Sequence, residues 1–97
     1  MGSNDNVFRV SVKSDSKKLA VAVMSRIQDK TMFGKDEDFP VLSCLGAGAI
    51  NQGVKALSIL RGLGAQVGKE IWFYPYFEVK QLDDGERTFI NFKIMVK

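Results

Sequence analysis

The sequence predicts a two-layer α/β sandwich of order βαβαββ, with two helices on one face of a four-stranded sheet. Three observations support this fold class. An alternating strand precedes a helical pattern, an apolar segment is joined to a second helix by a Gly-x-Gly turn, and two long strands flank an Asp-Asp-Gly sequence. The 97 residues, 45% of them apolar, suffice for one domain with its own core.

The first strand is predicted at Val7–Val12, because Phe8, Val10 and Val12 alternate with residues that face the other way. The Ser-Asp-Ser sequence at 14–16 offers helix N-cap residues. A helix is then predicted from Lys17 to about Gln28, with apolar residues at helical spacing.

The segment 31–39 lacks periodicity and contains a glycine and an acidic cluster, Asp36, Glu37 and Asp38. Such a composition indicates a surface loop. We expect Phe33 and Phe39 to hold it against the domain.

The second strand is predicted at Val41–Leu45, an apolar run typical of a strand buried on both faces. Cys44 is therefore expected to be a buried structural thiol. A helix should follow from about Ala49 to Leu63, ending at Gly62 or Gly64.

The apolar arc of this second helix covers more than half of its circumference, which is wider than a surface helix requires. The helix could be wedged deep in its own core, or one of its sides could contact a second subunit. We predict a homodimer. Its expected interface residues are Ile59, Leu60, Leu63, Trp72 and Tyr74.

The last two strands are predicted at Ile71–Gln81 and Thr88–Val96, joined in a hairpin by the turn sequence at 83–85. Pro75 cannot donate a backbone hydrogen bond, which indicates an edge strand or a bulge. One face of the hairpin carries Trp72, Tyr74, Tyr76 and Phe89. These aromatics could form a subunit interface, stack nucleic-acid bases or pack within the chain.

The net charge of +3 is unevenly distributed. Residues 7–30 carry six Lys or Arg against two Asp, and residues 41–69 carry three basic residues and no acid. Basic charge is therefore concentrated around the first strand, the first helix and the Gly-rich turn, as expected of a protein that binds nucleic acid or an acidic partner.

Catalysis is not expected. The chain has no histidine and one cysteine, so it lacks the residues of a zinc site and the commonest general base. The turn sequence Gly46-x-Gly48-x-x-Asn51 lacks the third glycine of the dinucleotide-binding fingerprint. It also lacks the Gly-Lys-Ser/Thr end of a P-loop. We predict a protein without cofactor, metal or small-molecule substrate.

No apolar run approaches the roughly 18 residues that span a bilayer, so no membrane association is expected. The polar residues 1–6 are expected to be a disordered tail or residues left by cloning, and not a secretory signal. A single cysteine suits a reducing compartment, which favours a cytoplasmic protein, or a nuclear one in a eukaryote.

The Gly-rich turn before the second helix leaves the amide groups of a helix N-terminus facing outward. There the amides and the helix dipole attract anions, phosphate above all. The turn therefore favours binding of a polyanion.

Several segments together resemble one family, that of stage V sporulation protein S. They are 10–14, 46–56, 59–62, 74–77, 84–88 and Lys93 in the last strand. The likeness spans about residues 8–29 and 41–97, and this family is similar to the Alba proteins, small dimeric α/β binders of DNA and RNA. It implies an Alba-like fold for residues 7–97, a dimer and a nucleic-acid ligand.

Two features depart from that resemblance. The connection at about 30–40 is longer than usual and is expected to be a surface insert. The hairpin tip, which is typically basic in Alba proteins, carries Asp83, Asp84 and Glu86 against Arg87 alone.

We therefore predict a non-enzymatic nucleic-acid-binding protein, largely independent of sequence and with a regulatory role. The expected nucleic-acid-binding residues are Lys13, Lys17, Lys18, Gly46, Gly48, Asn51, Gln52 and Lys55. The alternative is a protein-interaction or regulatory module without a nucleic-acid ligand. The two differ in whether the basic loop and the Gly-rich turn form one continuous surface.

Overall fold

The computed structural model describes residues 6–33 and 39–97, with side chains from 6 to 28 in the first of these segments. The elements are β1 (Val7–Val10), α1 (Ser16–Phe33), β2 (Val41–Cys44), α2 (Ala47–Gln66), β3 (Ile71–Leu82) and β4 (Gly85–Val96). This order confirms the predicted βαβαββ arrangement.

The four strands form one mixed sheet in the order β1-β2-β4-β3. β1 and β2 are parallel, and the other two pairs are antiparallel. Because β3 is an edge strand, Pro75 removes no hydrogen bond from the interior of the sheet, which confirms its predicted edge position.

Both helices pack on the same face of the sheet. The fully buried side chains include Leu57 and Leu60 of α2, Ile27 of α1 and Leu42 and Ile94 of the sheet. They belong to one core cluster, so the apolar faces of both layers meet there.

The other face of the sheet is not covered by a helix of the described chain. Along β3, Ile71 faces the helices, because a Cβ added at Gly64 of α2 would lie 2.6 Å from its Cδ1. Strand residues alternate between faces, so Trp72, Tyr74 and Tyr76 lie on the opposite side. We call this side the open face.

The β3–β4 hairpin is much longer than the neighbouring strand β2. Each of its strands has 12 residues, but β2 pairs only with Ile90 to Lys93 of β4. The part toward the tip therefore projects beyond β2 as an arm, which we define as residues 78–89.

The strands of the hairpin extend further than predicted. Pairing continues to Leu82 and Gly85, which leaves only Asp83 and Asp84 in the turn. Gly85 has φ +125°, a conformation that favours glycine, so it begins β4 where the sequence predicted part of a turn.

Other boundaries also differ from prediction. β1 ends at Val10, and Val12 lies in a turn with 66% of its surface exposed. α1 continues to Phe33, so residues 31–33 are helical where a loop was predicted. Residues 34–38, with the acidic cluster, lie outside the described residues, as does the Phe33 side chain.

The second helix extends past the glycines predicted to end it. Gly64 does not end α2 but lies within it. The absence of a side chain there lets the helix pass close to Ile71. The chain leaves the helix after Gln66, with Gly68 at φ +75° and the Lys69 N–H bonded to the Gly64 carbonyl at 2.8 Å.

Phe39, just before β2, holds the chain against the domain as predicted. Its side chain is buried, and the Lys93 Nζ donates to its carbonyl oxygen at 2.8 Å. Neither α1 nor α2, the helices of the described chain, is long and apolar enough to span a membrane.

Candidate nucleic-acid interface

The connection from β1 to α1 is a tight turn held by two serines. The Ser14 N–H donates to the Ser11 carbonyl at 3.0 Å, and the Ser11 N–H donates to Ser14 Oγ at 2.9 Å. Ser11 Oγ also accepts from the Lys13 N–H at 3.1 Å. These bonds hold the exposed Lys13 at the tip of the turn.

α1 begins with Asp15 as its N-cap, one of the predicted candidates. Asp15 Oδ1 accepts from the Lys18 N–H at 3.0 Å, and this bond is the main reason that the pKa of the carboxyl is lowered. Lys17 and Lys18 are both exposed in the first turn. The lysine pair thus shares its surface with one fixed carboxylate.

α2 begins without a side-chain cap. Gly46, with φ +92°, precedes the helix, and the first turn contains no acidic residue. The first intrahelical bond runs from the Ile50 N–H to the Gly46 carbonyl at 3.0 Å. The preceding amides have no partner within the helix, so they retain the anion-attracting character predicted from the Gly-x-Gly turn.

The two connections lie against each other. A Cβ added at Gly48 would lie 2.7 Å from Val12 Cγ2, so glycine permits the close approach of the first turn to the start of α2. The Gln52 Nε2 donates to the Ser14 carbonyl at 2.6 Å. The basic turn, the start of α1 and the Gly-rich turn therefore form one continuous surface, which we call the loop surface.

These contacts change the roles of two predicted binding residues. Gln52 is half-buried and donates to the Ser14 carbonyl, so it positions the turn. Gly48 likewise permits close approach. Asn51 and Lys55 are exposed one helical turn apart on α2, and Gly46 is exposed beside its first residue, so these three remain available to a ligand.

The predicted dimer interface is not one surface. Leu60 is 1% exposed and belongs to the core, so it presents almost no surface to a second copy. Ile59 and Leu63 pack against that core as partly buried side chains. Trp72 and Tyr74 lie on the open face, on the other side of the sheet from α2.

A different apolar surface, not predicted from the sequence, lies on the helix side of the hairpin. It contains Phe77, Val79 and Phe73 of β3, with 75%, 58% and 37% exposure. The alternation of β3 placed these residues on one face, but only the fold shows that the helices leave them exposed.

Cys44 is fully buried in β2, and burial raises the pKa of its thiol from the ordinary 9.0 to about 11. We expect the native protein to react slowly with a thiol reagent at neutral pH and rapidly in denaturant. Because the thiol ionises more easily when unfolded, stability should fall between about pH 9 and 11. Fast labelling of native protein at neutral pH would contradict the structural role.

In the part of the chain that the structure describes, no group of three or more Cys, Asp or Glu residues is placed to hold a metal ion. The acidic cluster at 36–38 is outside that part.

The fold is that of an Alba protein. The structure of Alba from Thermoplasma volcanium aligns with a TM-score of 0.58 over 95% of this chain and 99% of that one, at 16% sequence identity. The sequence itself is more specific, because residues 6–97 match the family described as stage V sporulation protein S (SpoVS). The chain belongs to the stage V sporulation protein S family, as the motifs at 46–56 and 74–77 predicted.

Proposed function

We propose that the protein is a non-enzymatic, cytoplasmic nucleic-acid-binding protein that contacts phosphates through the loop surface and is largely indifferent to base sequence. The observation that carries this proposal is the junction of the two connections by Gln52 and Gly48. It gathers Lys13, Lys17 and Lys18 beside an uncapped helix N-terminus.

The chemistry of the loop surface suits phosphate. Lysine ammonium groups and backbone amides at a helix N-terminus are donors without base preference, and contacts with phosphates position a protein on nucleic acid without reading its sequence. Asn51 and Lys55 extend the same surface along the exposed side of α2. The likeness to an Alba protein supports the fold on which such a surface is built.

A second candidate function is a regulatory module that binds protein and no nucleic acid. The observation that favours it is the acidic end of the arm, where Asp83, Asp84 and Glu86 accompany Arg87. Arg87 forms an ion pair with Asp84, so its positive charge is partly neutralised. Such an arm would be repelled by a phosphate backbone.

We also propose that the protein is a homodimer, with its interface on the apolar surface found here and not on the residues predicted from sequence. A second copy is the occupant that fits, because Phe73, Phe77 and Val79 are exposed apolar side chains on one face of a single strand. An apolar cavity of about 270 Å³ lies within it, lined in part by Pro75, Phe77 and Ile90. Burial of exposed aromatics is typical of obligate subunit contacts.

The decisive experiment for the proposed function is a titration of the native protein with labelled duplex DNA and structured RNA at two salt concentrations. We expect binding at low salt, with similar affinities for unrelated sequences and a marked loss at high salt. Absence of binding to both ligands at low salt would refute the proposal and favour the protein-binding module.

A further inference from the structure

Three aromatic side chains form a row on the open face along the edge strand β3. Trp72 and Tyr74 are each 50% exposed and Tyr76 is 40% exposed. Alternate residues of a strand lie about 7 Å apart, so the rings are presented in sequence along the edge. The Tyr74 and Tyr76 ring centroids are 6.0 Å apart, with their planes tilted by 46°.

A row of polar residues crosses all four strands of the same face. Arg9, Ser43, Asn91 and Tyr76 are successive partners in the strand register. Ser43 and Asn91 are each only 3% exposed, yet Ser43 Oγ and Asn91 Oδ1 have no hydrogen-bond partner. Buried polar atoms are normally paired, so these two point to a ligand or ordered water.

A shallow cavity of about 520 Å³ lies over this polar row. Arg9, Glu78, Lys80 and Asn91 are among its lining residues. The Asn91 Nδ2 donates to Glu78 Oε1 at 2.6 Å, which fixes both side chains. The cavity therefore offers a guanidinium, a carboxylate and an amide within a small area, a set that can pair with the donors and acceptors of a nucleobase edge.

The charge of the open face favours an anion. Arg9, Lys80 and Lys93 lie on it with the carboxylate of Glu78, and the Lys97 Nζ lies 4.9 Å from the Trp72 ring centroid. The Lys80 Nζ lies 3.8 Å from Glu78 Oε1 and 4.5 Å from the Phe89 ring centroid. Cations interleaved with aromatic rings are typical of surfaces that bind single-stranded nucleic acid.

We propose that the open face binds single-stranded RNA or DNA, with bases stacked on Trp72, Tyr74 and Tyr76 and one base edge over the cavity beside Asn91. This inference rests on the proposed nucleic-acid function and adds a second surface to it. Single strands are required because the bases of a duplex are already stacked and cannot be placed on side-chain rings.

The two surfaces are adjacent. Arg9 is the penultimate residue of β1, and the turn that presents Lys13 begins at Ser11, directly after that strand. A strand whose phosphates lie on the loop surface can therefore pass over Arg9 onto the open face. A second copy of the chain fits this face poorly, because it would bury Arg9, Glu78 and Lys80.

Trp72 provides a direct test, since it is the only tryptophan of the chain. We expect its fluorescence to be quenched by an unlabelled 12-nucleotide oligo(U) or oligo(dT) and unchanged by a duplex that occupies the loop surface. Tyr76→Ala should weaken single-strand binding about 5- to 150-fold, since one stacked base contributes about 1–3 kcal/mol. Tyr76→Phe, which keeps the ring, should bind like the unmodified protein.

The outcomes separate this inference from the proposed function. The open-face site is overturned if the protein binds duplex but the single strand does not change Trp72 fluorescence. It is also overturned if Tyr76→Ala and the unmodified protein bind the single strand equally well. Either result leaves the loop surface intact. Loss of duplex binding in Tyr76→Ala would show a general folding defect, which circular dichroism would detect. Tyr74→Ala would then replace it as the test of base stacking on the open face. Quenching that depends on protein concentration alone would assign the face to a second copy and also overturn the inference.

Discussion

Replacing Phe77 with aspartate is expected to give a folded monomer, whereas the same replacement at Leu60 is expected to unfold the chain. The two residues are both apolar, but Phe77 is 75% exposed in the isolated chain and Leu60 is 1% exposed. An aspartate at 77 therefore meets water in the monomer and an apolar partner only in the dimer. An aspartate at 60 is buried in both states.

The expected difference is large. An unpaired charge in an apolar interior costs several kcal/mol, which approaches the roughly 5–15 kcal/mol that stabilises a typical domain. Sedimentation should show the Phe77 variant at half the mass of the unmodified protein, with an unchanged circular dichroism spectrum. The Leu60 variant should lack a cooperative thermal transition.

Gly62→Asp provides the matched control on the same helix. Gly62 is exposed, and a Cβ there meets no atom within 4 Å, so this variant should remain a folded dimer. A folded, monomeric Leu60 variant would restore the interface predicted from the sequence. An unmodified chain that sediments as a monomer would refute the dimer itself.

Sequence patterns predicted the order of the elements because each pattern is local. Alternation in β1 depends on residues two positions apart, and helical spacing in α1 depends on residues three or four positions apart. The motif at 46–56 identified the family for the same reason, since its residues are contiguous. The strand and helix ends were less predictable, because contacts distant in sequence decide them.

Gly64 illustrates such a distant contact. Glycine near the end of a helical pattern normally indicates termination, yet here it allows α2 to pass over Ile71 and continue to Gln66. The wide apolar arc of α2 has a related explanation. Leu60 belongs to the core, and Ile59 and Leu63 pack against it, so a core filled by two helices accounts for much of that arc.

The candidate site was predicted in part. The lysines at 13, 17 and 18 and the Gly-x-Gly turn were found from charge and spacing, but their contact through Gln52 requires the fold. The polar row on the open face was not found, because Ser43 lies inside a segment interpreted as an apolar run. Its proximity to Asn91 follows only from the register of β2 with β4.

Reversing the charge of two lysines, Lys17→Glu with Lys18→Glu, is expected to weaken binding to duplex DNA of every sequence by a similar factor. Both side chains are exposed in the first turn of α1, and neither belongs to the apolar core. Glutamate is favourable near a helix N-terminus, where it complements the helix dipole, so the fold should be retained. A loss of affinity in this variant therefore reports on the loop surface.

The salt dependence gives the sharper measurement. If a dimer engages about four phosphates, the slope of log affinity against log salt should be roughly −3 to −4, and removal of two lysines from each protomer should reduce its magnitude by at least about 2. A variant with the same change in net charge, Arg61→Glu with Lys69→Glu, places the reversal near the other end of α2 and should keep most of the original slope. Equal losses in both variants would indicate attraction by overall charge, and unchanged binding in the Lys17–Lys18 variant would exclude the loop surface as the phosphate site.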